Sequence, residues 1–152
     1  MSGEGPLTGL RVVELCDETA AFAGKLMADL GADVIKVEPP GGDRTRAYGP
    51  FFEDQPGPER SLWWWQYNSS KQGVTLDLKK PGGPGLLRAL IDTADVFLTS
   101  ESPAALVRIG CDHGHLCDEL PGLVMVSVRP FGRSGPRKDE PATNLTDRKS
   151  VV

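Results

Sequence analysis

The sequence lacks the features of membrane proteins and of nucleic-acid-binding proteins. No apolar run in its 152 residues approaches the roughly 20 that a membrane-spanning helix requires, and the polar residues 1–9 have no signal-peptide core. The formal net charge of -4 argues against a broad nucleic-acid-binding surface. The three cysteines are an odd number without a disulfide pattern, which fits a reducing compartment. We therefore expect a cytoplasmic protein that binds neither membrane nor nucleic acid.

Two common site motifs are also missing. The segment after the first apolar run, residues 16–24, has no G-x-G-x-x-G pattern, so the dinucleotide fingerprint is absent. Cys16 has no histidine near it in sequence, and a buried structural cysteine is more common than a nucleophile. Zinc sites usually show two separated pairs of ligands. That spacing is not found in the group Cys111, His113, His115 and Cys117, and we expect no metal site.

Glycine and proline are abundant instead. The chain has 18 glycines and 13 prolines, mainly in connections, so several long loops are expected, and such loops often carry function. The segment 25–46, KLMADLGADVIKVEPPGGDRTR, predicts a helix that ends at Gly31 and a buried strand that follows. The larger apolar residues of this helix, Leu26, Met27 and Leu30, fall on one face.

The loop after this strand is a candidate ligand site. The residues 39–42, Pro-Pro-Gly-Gly, end the strand because proline cannot donate to a sheet ladder and glycine opens the turn. Open α/β sheets bind ligands at the carboxyl ends of their strands. Because the loop also carries Arg44 and Arg46, we predict a ligand that bears phosphate.

Strand patterns alternate with helical patterns along the whole chain. This alternation predicts a parallel sheet with helices on both faces, which is a three-layer, Rossmann-like α/β domain. The predicted strands are 11–15, 34–37, 73–78, 95–98 and 123–128, and the predicted helices are 19–30, 62–67, 85–93, 103–109 and 116–120.

Two further segments lead to expectations. Trp63, Trp64 and Trp65 cannot all face one side of a helix, so at least one should pack in the core and another should meet a further segment or chain. The polar segment after the fifth strand does not continue with the helix that a βα unit needs. We hypothesise that the frame is truncated and that residues 146–152 are a non-native tail, because read-through of a sequencing adapter would encode Asp147 to Val152.

Four motifs in order resemble the class III CoA-transferases, a family that includes formyl-CoA and carnitine CoA-transferases and α-methylacyl-CoA racemases. The motifs are GADVIKVEPPGGDRTR, YNSSKQGVTLDLKKPGG, ADVFLTS and SVRPFGRSGP, and the resemblance runs from about Leu7 to Leu145. It implies that residues 1–145 are the amino-terminal part of a larger protein. It also implies that the full-length protein forms interlocked homodimers and moves coenzyme A between carboxylic acids, or racemises an acyl-CoA.

The resemblance also suggests roles for particular positions. Leu76 and Lys79 match the place where the family holds the adenine end of CoA, Arg108 matches an arginine near the CoA phosphates, and Arg129 matches a basic residue that contacts CoA. Asn144 stands at the position of the family aspartate, which attacks the acyl-CoA thioester in the transferases and moves a proton in the racemases.

The sequence departs from the family at this and other positions. Asparagine does not ionise and does not form the anhydride, so Asn144 leaves open a non-catalytic module that binds CoA or dimerises, one half of a fused protein, or a sequencing error. The tail leaves open an inactive fragment. Ala20-Ala21 replaces the family Gly-Pro, and Ser100, which Glu101 follows, replaces the usual asparagine after the fourth strand. These changes lie around the expected CoA channel.

Overall fold

The protein is described by a computed structural model over residues 5–138 and 140. Five parallel strands form one sheet in the order β3-β2-β1-β4-β5. The strands are β1 (Arg11–Leu15), β2 (Asp33–Glu38), β3 (Gln72–Thr75), β4 (Val96–Thr99) and β5 (Val124–Ser127). The helices are α1 (Ala21–Asp29), α2 (Leu62–Asn68), α3 (Gly83–Ile91), α4 (Pro103–Arg108) and α5 (His113–Glu119). Short 3-10 turns at Arg44–Ala47 and Phe52–Asp54 interrupt the long connection between β2 and α2.

Two apolar cores lie on opposite faces of the sheet, which confirms the three-layer α/β prediction. One core packs α3, α4 and α5 against alternate residues of the strands, including Val13 and Phe97. The other packs α1 against the opposite residues, including Val12 and Leu98. None of the helices in the described residues is both long and apolar enough to cross a bilayer.

Helix α1 buries small residues against the sheet, whereas Phe22 is exposed and Met27 is only partly buried. Ala21, Gly24 and Ala28 face the sheet, whereas Leu26 and Leu30 are 45% and 44% exposed. Gly24 is needed on the buried face because a Cβ atom there would lie 1.7 Å from the Glu14 Oε2. After the helix, Gly31 has a φ of 100°, and this confirms the predicted left-handed turn.

Strand β3 ends earlier than its sequence pattern predicts. The alternating residues 73–78 predict a strand, but the sheet ladder stops at Thr75, and the Leu76 N–H donates to the Glu38 carbonyl oxygen at the end of β2 (2.9 Å). Asp77 then begins a turn, in which its carboxylate accepts from the Lys79 N–H (3.1 Å). Leu76 is consequently the last residue bonded to the sheet, and residues 76–79 border a cavity.

Strand β5 is covered on one face. Leu123 and Met125 pack on the core below α5, but Val124 and Val126, which point the other way, are 56% and 39% exposed. An apolar edge strand with one open face is a surface on which further structure can pack.

Candidate ligand site

A cavity of about 650 Å³ lies at the carboxyl edge of the sheet. Leu15 at the end of β1 and Val37 at the end of β2 form its buried floor. The cavity lies beside β1, the central strand of the sheet. The chain adds β2 and β3 on one side of β1 and then β4 and β5 on the other side. Ligands of open α/β sheets bind at such a switch point.

The wall of the cavity is mostly apolar. The connection after β2 contributes Pro39 and Pro40, the turn after β3 contributes Leu76 and Leu78, and helices α3 and α4 contribute Pro84, Ala105 and Ile109. An apolar cleft with a few polar groups is the usual form of a small-molecule site.

The structure brings together three of the four predicted CoA contacts. Leu76, Lys79 and Arg108 all line this cavity, although they come from the turn after β3 and from the last turn of α4. Lys79 and Arg108 are exposed, and neither has a carboxylate partner among the described residues. Two uncompensated cations at one cavity are suited to bind a phosphate-bearing ligand.

Arg129 lies next to the cavity but does not line it. Its Nη1 donates to the Ser100 carbonyl oxygen (3.4 Å), and its Nη2 donates to the Lys138 carbonyl oxygen (3.2 Å). Its Nε is buried and has no hydrogen-bond partner in the described part of the chain. Because Ser100 precedes the cavity residue Glu101, Arg129 is anchored beside the wall, and its contact with CoA stays a prediction.

Both arginines of the Pro-Gly loop are paired with carboxylates. Arg44 holds Glu18 through two hydrogen bonds. Arg46 donates from Nε and Nη2 to the two oxygens of Glu38 (2.7 and 2.9 Å) and from Nη1 to Glu59 (2.7 Å). A phosphate at either arginine would compete with these ion pairs, although both also line a shallower recess of about 540 Å³ beside the loop.

The Glu38–Arg46 pair fixes one wall of the cavity. Burial acts to raise the pKa of Glu38, but hydrogen bonds from Arg46 and from the Asp43 N–H outweigh it, so that pKa lies below its usual range. The Arg46 guanidinium also lies 3.8 Å from the centre of a Trp64 ring, which places a half-buried cation over an aromatic face.

A second charged cluster lies under α1, on the other face of the sheet, and sequence reasoning missed it. The Lys36 Nζ donates to the Glu14 carboxylate (3.1 Å) and to the Cys16 carbonyl oxygen (2.9 Å), and it lies 3.3 Å from the Asp43 carboxylate. The Lys71 Nζ donates to the same Glu14 (3.0 Å), to the Ala21 carbonyl oxygen (2.9 Å) and to the Asn68 side-chain oxygen (3.0 Å). The signal was a glutamate and a lysine within strands expected to be covered on both faces, where charges must be paired.

Burial affects the two lysines of this cluster differently. It acts to lower the pKa of Lys36, but the carboxylates of Glu14 and Asp43 outweigh it and raise that pKa. For Lys71, burial prevails over the attraction of Glu14 and lowers the pKa.

The cysteine and histidine residues do not converge on a site. Cys16 and Cys111 are buried, and burial raises the pKa of both thiols. Cys117 is exposed and lies 3.2 Å from the Nε2 of His113, and His115 contacts Asp112. Within residues 5–138 and 140, no three His, Cys, Asp or Glu side chains are arranged to hold a metal ion.

The three tryptophans take different environments. Trp64 is buried, Trp65 is 43% exposed against Phe52, and Trp63 packs on Tyr67 with 4.4 Å between ring centres. This confirms that one of them joins the core.

Asn144, the predicted position of the family aspartate, and the tail 146–152 lie outside the described residues.

Known proteins similar to this chain agree in family and in fold. Succinyl-CoA:(R)-benzylsuccinate CoA-transferase subunit BbsE of Thauera aromatica is 40% identical over 136 residues, which are 90% of this chain and 33% of that protein. Succinate–glutarate CoA-transferase of Agrobacterium fabrum is 43% identical over 138 residues, which are 88% of this chain and 34% of that protein. The crystal structure of a CAIB/BAIF family protein from Brucella suis superimposes with a TM-score of 0.86 at 35% identity, over 95% of this chain and 38% of that one.

The chain spans about one third of the length of these curated relatives. The sequence model described as CoA-transferase family III matches residues 7–150. This match covers almost the whole sequence and confirms the resemblance of the four motifs, so the chain belongs to CoA-transferase family III.

Proposed function

We propose that this chain is the CoA-binding portion of an enzyme that moves coenzyme A between carboxylic acids. The observation that carries the proposal is that Leu76, Lys79 and Arg108 line one cavity at the carboxyl edge of the sheet. The relatives are named as CoA-transferases of several different acids, so the acyl group is not part of the proposal.

The cavity provides the two kinds of contact that CoA requires. The apolar wall around Leu76 and Pro40 suits the adenine ring and the pantetheine chain, whose burial contributes roughly 25 cal/mol for each Å² of apolar surface. Lys79 and Arg108 suit the phosphates, because a hydrogen bond to a charged group contributes about 1.5–3 kcal/mol. Arg129, whose buried Nε lacks a partner in the described residues, would add a contact at the edge of the cavity.

The partners of the complete protein are also part of the proposal. Helix α1 exposes Phe22, Leu26 and Leu30, and β5 exposes Val124 and Val126. Apolar surface of this extent marks places where further chain or a second subunit packs, which supports an interlocked homodimer in the complete protein. Three free thiols support a cytoplasmic location.

Titration calorimetry with CoA tests the binding. We expect saturable binding by the chain, and about tenfold weaker binding by Lys79→Ala, since the loss of one charge-assisted contact is about 1.4 kcal/mol. Lys80→Ala is the matched control: its ammonium group lies 3.9 Å from Asp77 and is outside the cavity lining. No heat at millimolar CoA, or an equal loss in both variants, would contradict the proposal.

A second candidate, a non-catalytic CoA-binding module, is favoured by Asn144. An amide cannot take the place of a carboxylate that attacks a thioester. The test is CoA transfer by the complete gene product with Asn144 and with Asn144→Asp. Transfer only by the Asn144→Asp form supports the module, whereas transfer by the natural form supports an enzyme.

A further inference from the structure

We propose that Glu101 sets the charge selectivity of the cavity, by opposing the phosphate groups that Lys79 and Arg108 attract. This inference rests on the proposed binding of CoA. If Glu101 weakens the binding of the phosphates, contacts with the apolar part of CoA contribute a larger share of the binding free energy than the two cations alone would indicate.

Glu101 lies two residues before α4 and lines the same cavity as this helix. Ala105 and Arg108 of the helix and Ile109 at its C-cap also line the cavity, with the i, i+3, i+4 spacing of one helical face. The cavity lining is therefore acidic just before the helix and basic at the end of the helix, and a bound ligand meets both charges.

The backbone fixes the position of Glu101. Its N–H donates to the Thr99 Oγ1 (3.1 Å), at the end of β4. The next residue, Ser102, accepts from the Ala105 N–H (3.1 Å) and so caps α4. Glu101 thus stands at a defined point between a buried strand end and a capped helix.

Glu101 also differs from the other carboxylates of the cavity. Glu38 is neutralised by two hydrogen bonds from Arg46, and Asp77 accepts from the Lys79 N–H and lies 3.9 Å from the Lys80 ammonium group. The Glu101 carboxylate has no partner among the described residues and is exposed. It is the cavity's uncompensated negative charge within the part of the chain that the structure describes.

The Glu101 carboxylate shares the cavity with the two cations, so its charge should affect the binding of phosphate. Glu101 lines the same cavity of about 650 Å³ as Lys79 and Arg108, and salt screens charges only over about 8–10 Å, so we expect Glu101 to repel a phosphate held by Lys79 or Arg108. At effective dielectric constants between those of protein and water, such repulsion weakens binding by about threefold to tenfold.

Three ligands of decreasing charge test the inference. CoA carries three phosphate groups, dephospho-CoA carries two and pantetheine carries none. We expect Glu101→Gln to bind CoA about threefold to tenfold more tightly than the wild type, to bind dephospho-CoA more tightly by a smaller factor, and to leave pantetheine unchanged. Glu119→Gln is the matched control, because its carboxylate lies on α5, pairs with Arg88 and is outside the cavity lining.

The outcomes separate this inference from the proposed function. If the wild type binds CoA but Glu101→Gln binds it equally or more weakly, the charge-selectivity inference is wrong and CoA binding stands. An equal change for all three ligands, including pantetheine, also overturns it, since an effect of size or shape does not follow charge. If the wild type binds none of the three ligands, the proposed function fails and the inference fails with it.

Discussion

Lys36 and Glu14 form an ion pair of 3.1 Å in which both side chains are almost completely excluded from water. The two residues lie on neighbouring strands, and the pair is joined by Lys71 and Asp43 to give two positive and two negative charges under α1. Each ammonium group is saturated by oxygen atoms. The cluster thereby ties β1, β2, the Pro-Gly loop and the end of α2 into one unit.

Removing one member of this cluster should be costly. We expect Lys36→Met to lower the free energy of unfolding by about 3–5 kcal/mol, because Asp43 would lose its ammonium partner and buried Glu14 would keep only Lys71. Urea denaturation monitored by tryptophan fluorescence measures the change. Arg11→Met is the control: its pair with Asp33 is partly exposed and should contribute less than about 1 kcal/mol. Equal losses in the two variants would contradict the structural role of the buried cluster.

Gly24 makes room for the same cluster. A Cβ atom at this position would lie 1.7 Å from the Glu14 Oε2, so Gly24→Ala should lower the free energy of unfolding by about 1–3 kcal/mol or more through overpacking. Gly85→Ala is the matched helical control, because a Cβ there meets no atom within 4 Å. That variant should gain about 0.5–1 kcal/mol from reduced chain entropy. Thermal unfolding of both variants measures the two effects, and a loss in Gly85→Ala would contradict the explanation.

The sequence predicted the order of strands and helices well, because that order follows from local apolar patterns. β1 was predicted with its observed bounds, Arg11–Leu15. The end of β3 was not predicted, since residues 76–78 keep an alternating pattern while the Leu76 N–H bonds to Glu38 at the end of β2. A pattern in one segment does not reveal where a neighbouring strand stops.

The candidate site was likewise predicted only in part. The resemblance to the family predicted that Leu76, Lys79 and Arg108 contact CoA. All three residues line one cavity. The state of Arg44 and Arg46 could not be predicted, because their carboxylate partners Glu18 and Glu38 come from other elements. Arg108, which has no carboxylate partner among the described residues, cannot be told from the paired Arg44 and Arg46 in the sequence. Only the fold distinguishes them.

Stability should fall in acid through Glu38. Its pKa is held below the ordinary value of 4.5 in the folded state, where hydrogen bonds from Arg46 outweigh the effect of burial. The unfolded chain therefore binds the proton first as the pH falls. The contribution of Glu38 is fully present above its unfolded pKa and is lost as the pH decreases through the lower, folded value.

Glu38→Gln should consequently be less stable than the wild type at pH 7 and should show a shallower loss of stability below about pH 4.5. Urea denaturation midpoints between neutral pH and pH 3 measure both effects. Circular dichroism at pH 7 verifies that the variant is folded. Parallel curves for the two proteins would show that Glu38 does not carry this acid sensitivity.

The three cysteines should differ in reactivity toward a disulfide reagent such as DTNB. Cys16 and Cys111 are buried, and burial raises the pKa of their thiols, so little reactive thiolate is present at either. Cys117 is exposed beside the imidazole of His113. We expect one thiol to react quickly in the native protein and all three to react in denaturant. Cys117→Ser should remove the fast reaction and Cys111→Ser should keep it, whereas a fast reaction of two or more native thiols would mean that the cores around Cys16 and Cys111 open readily to solvent.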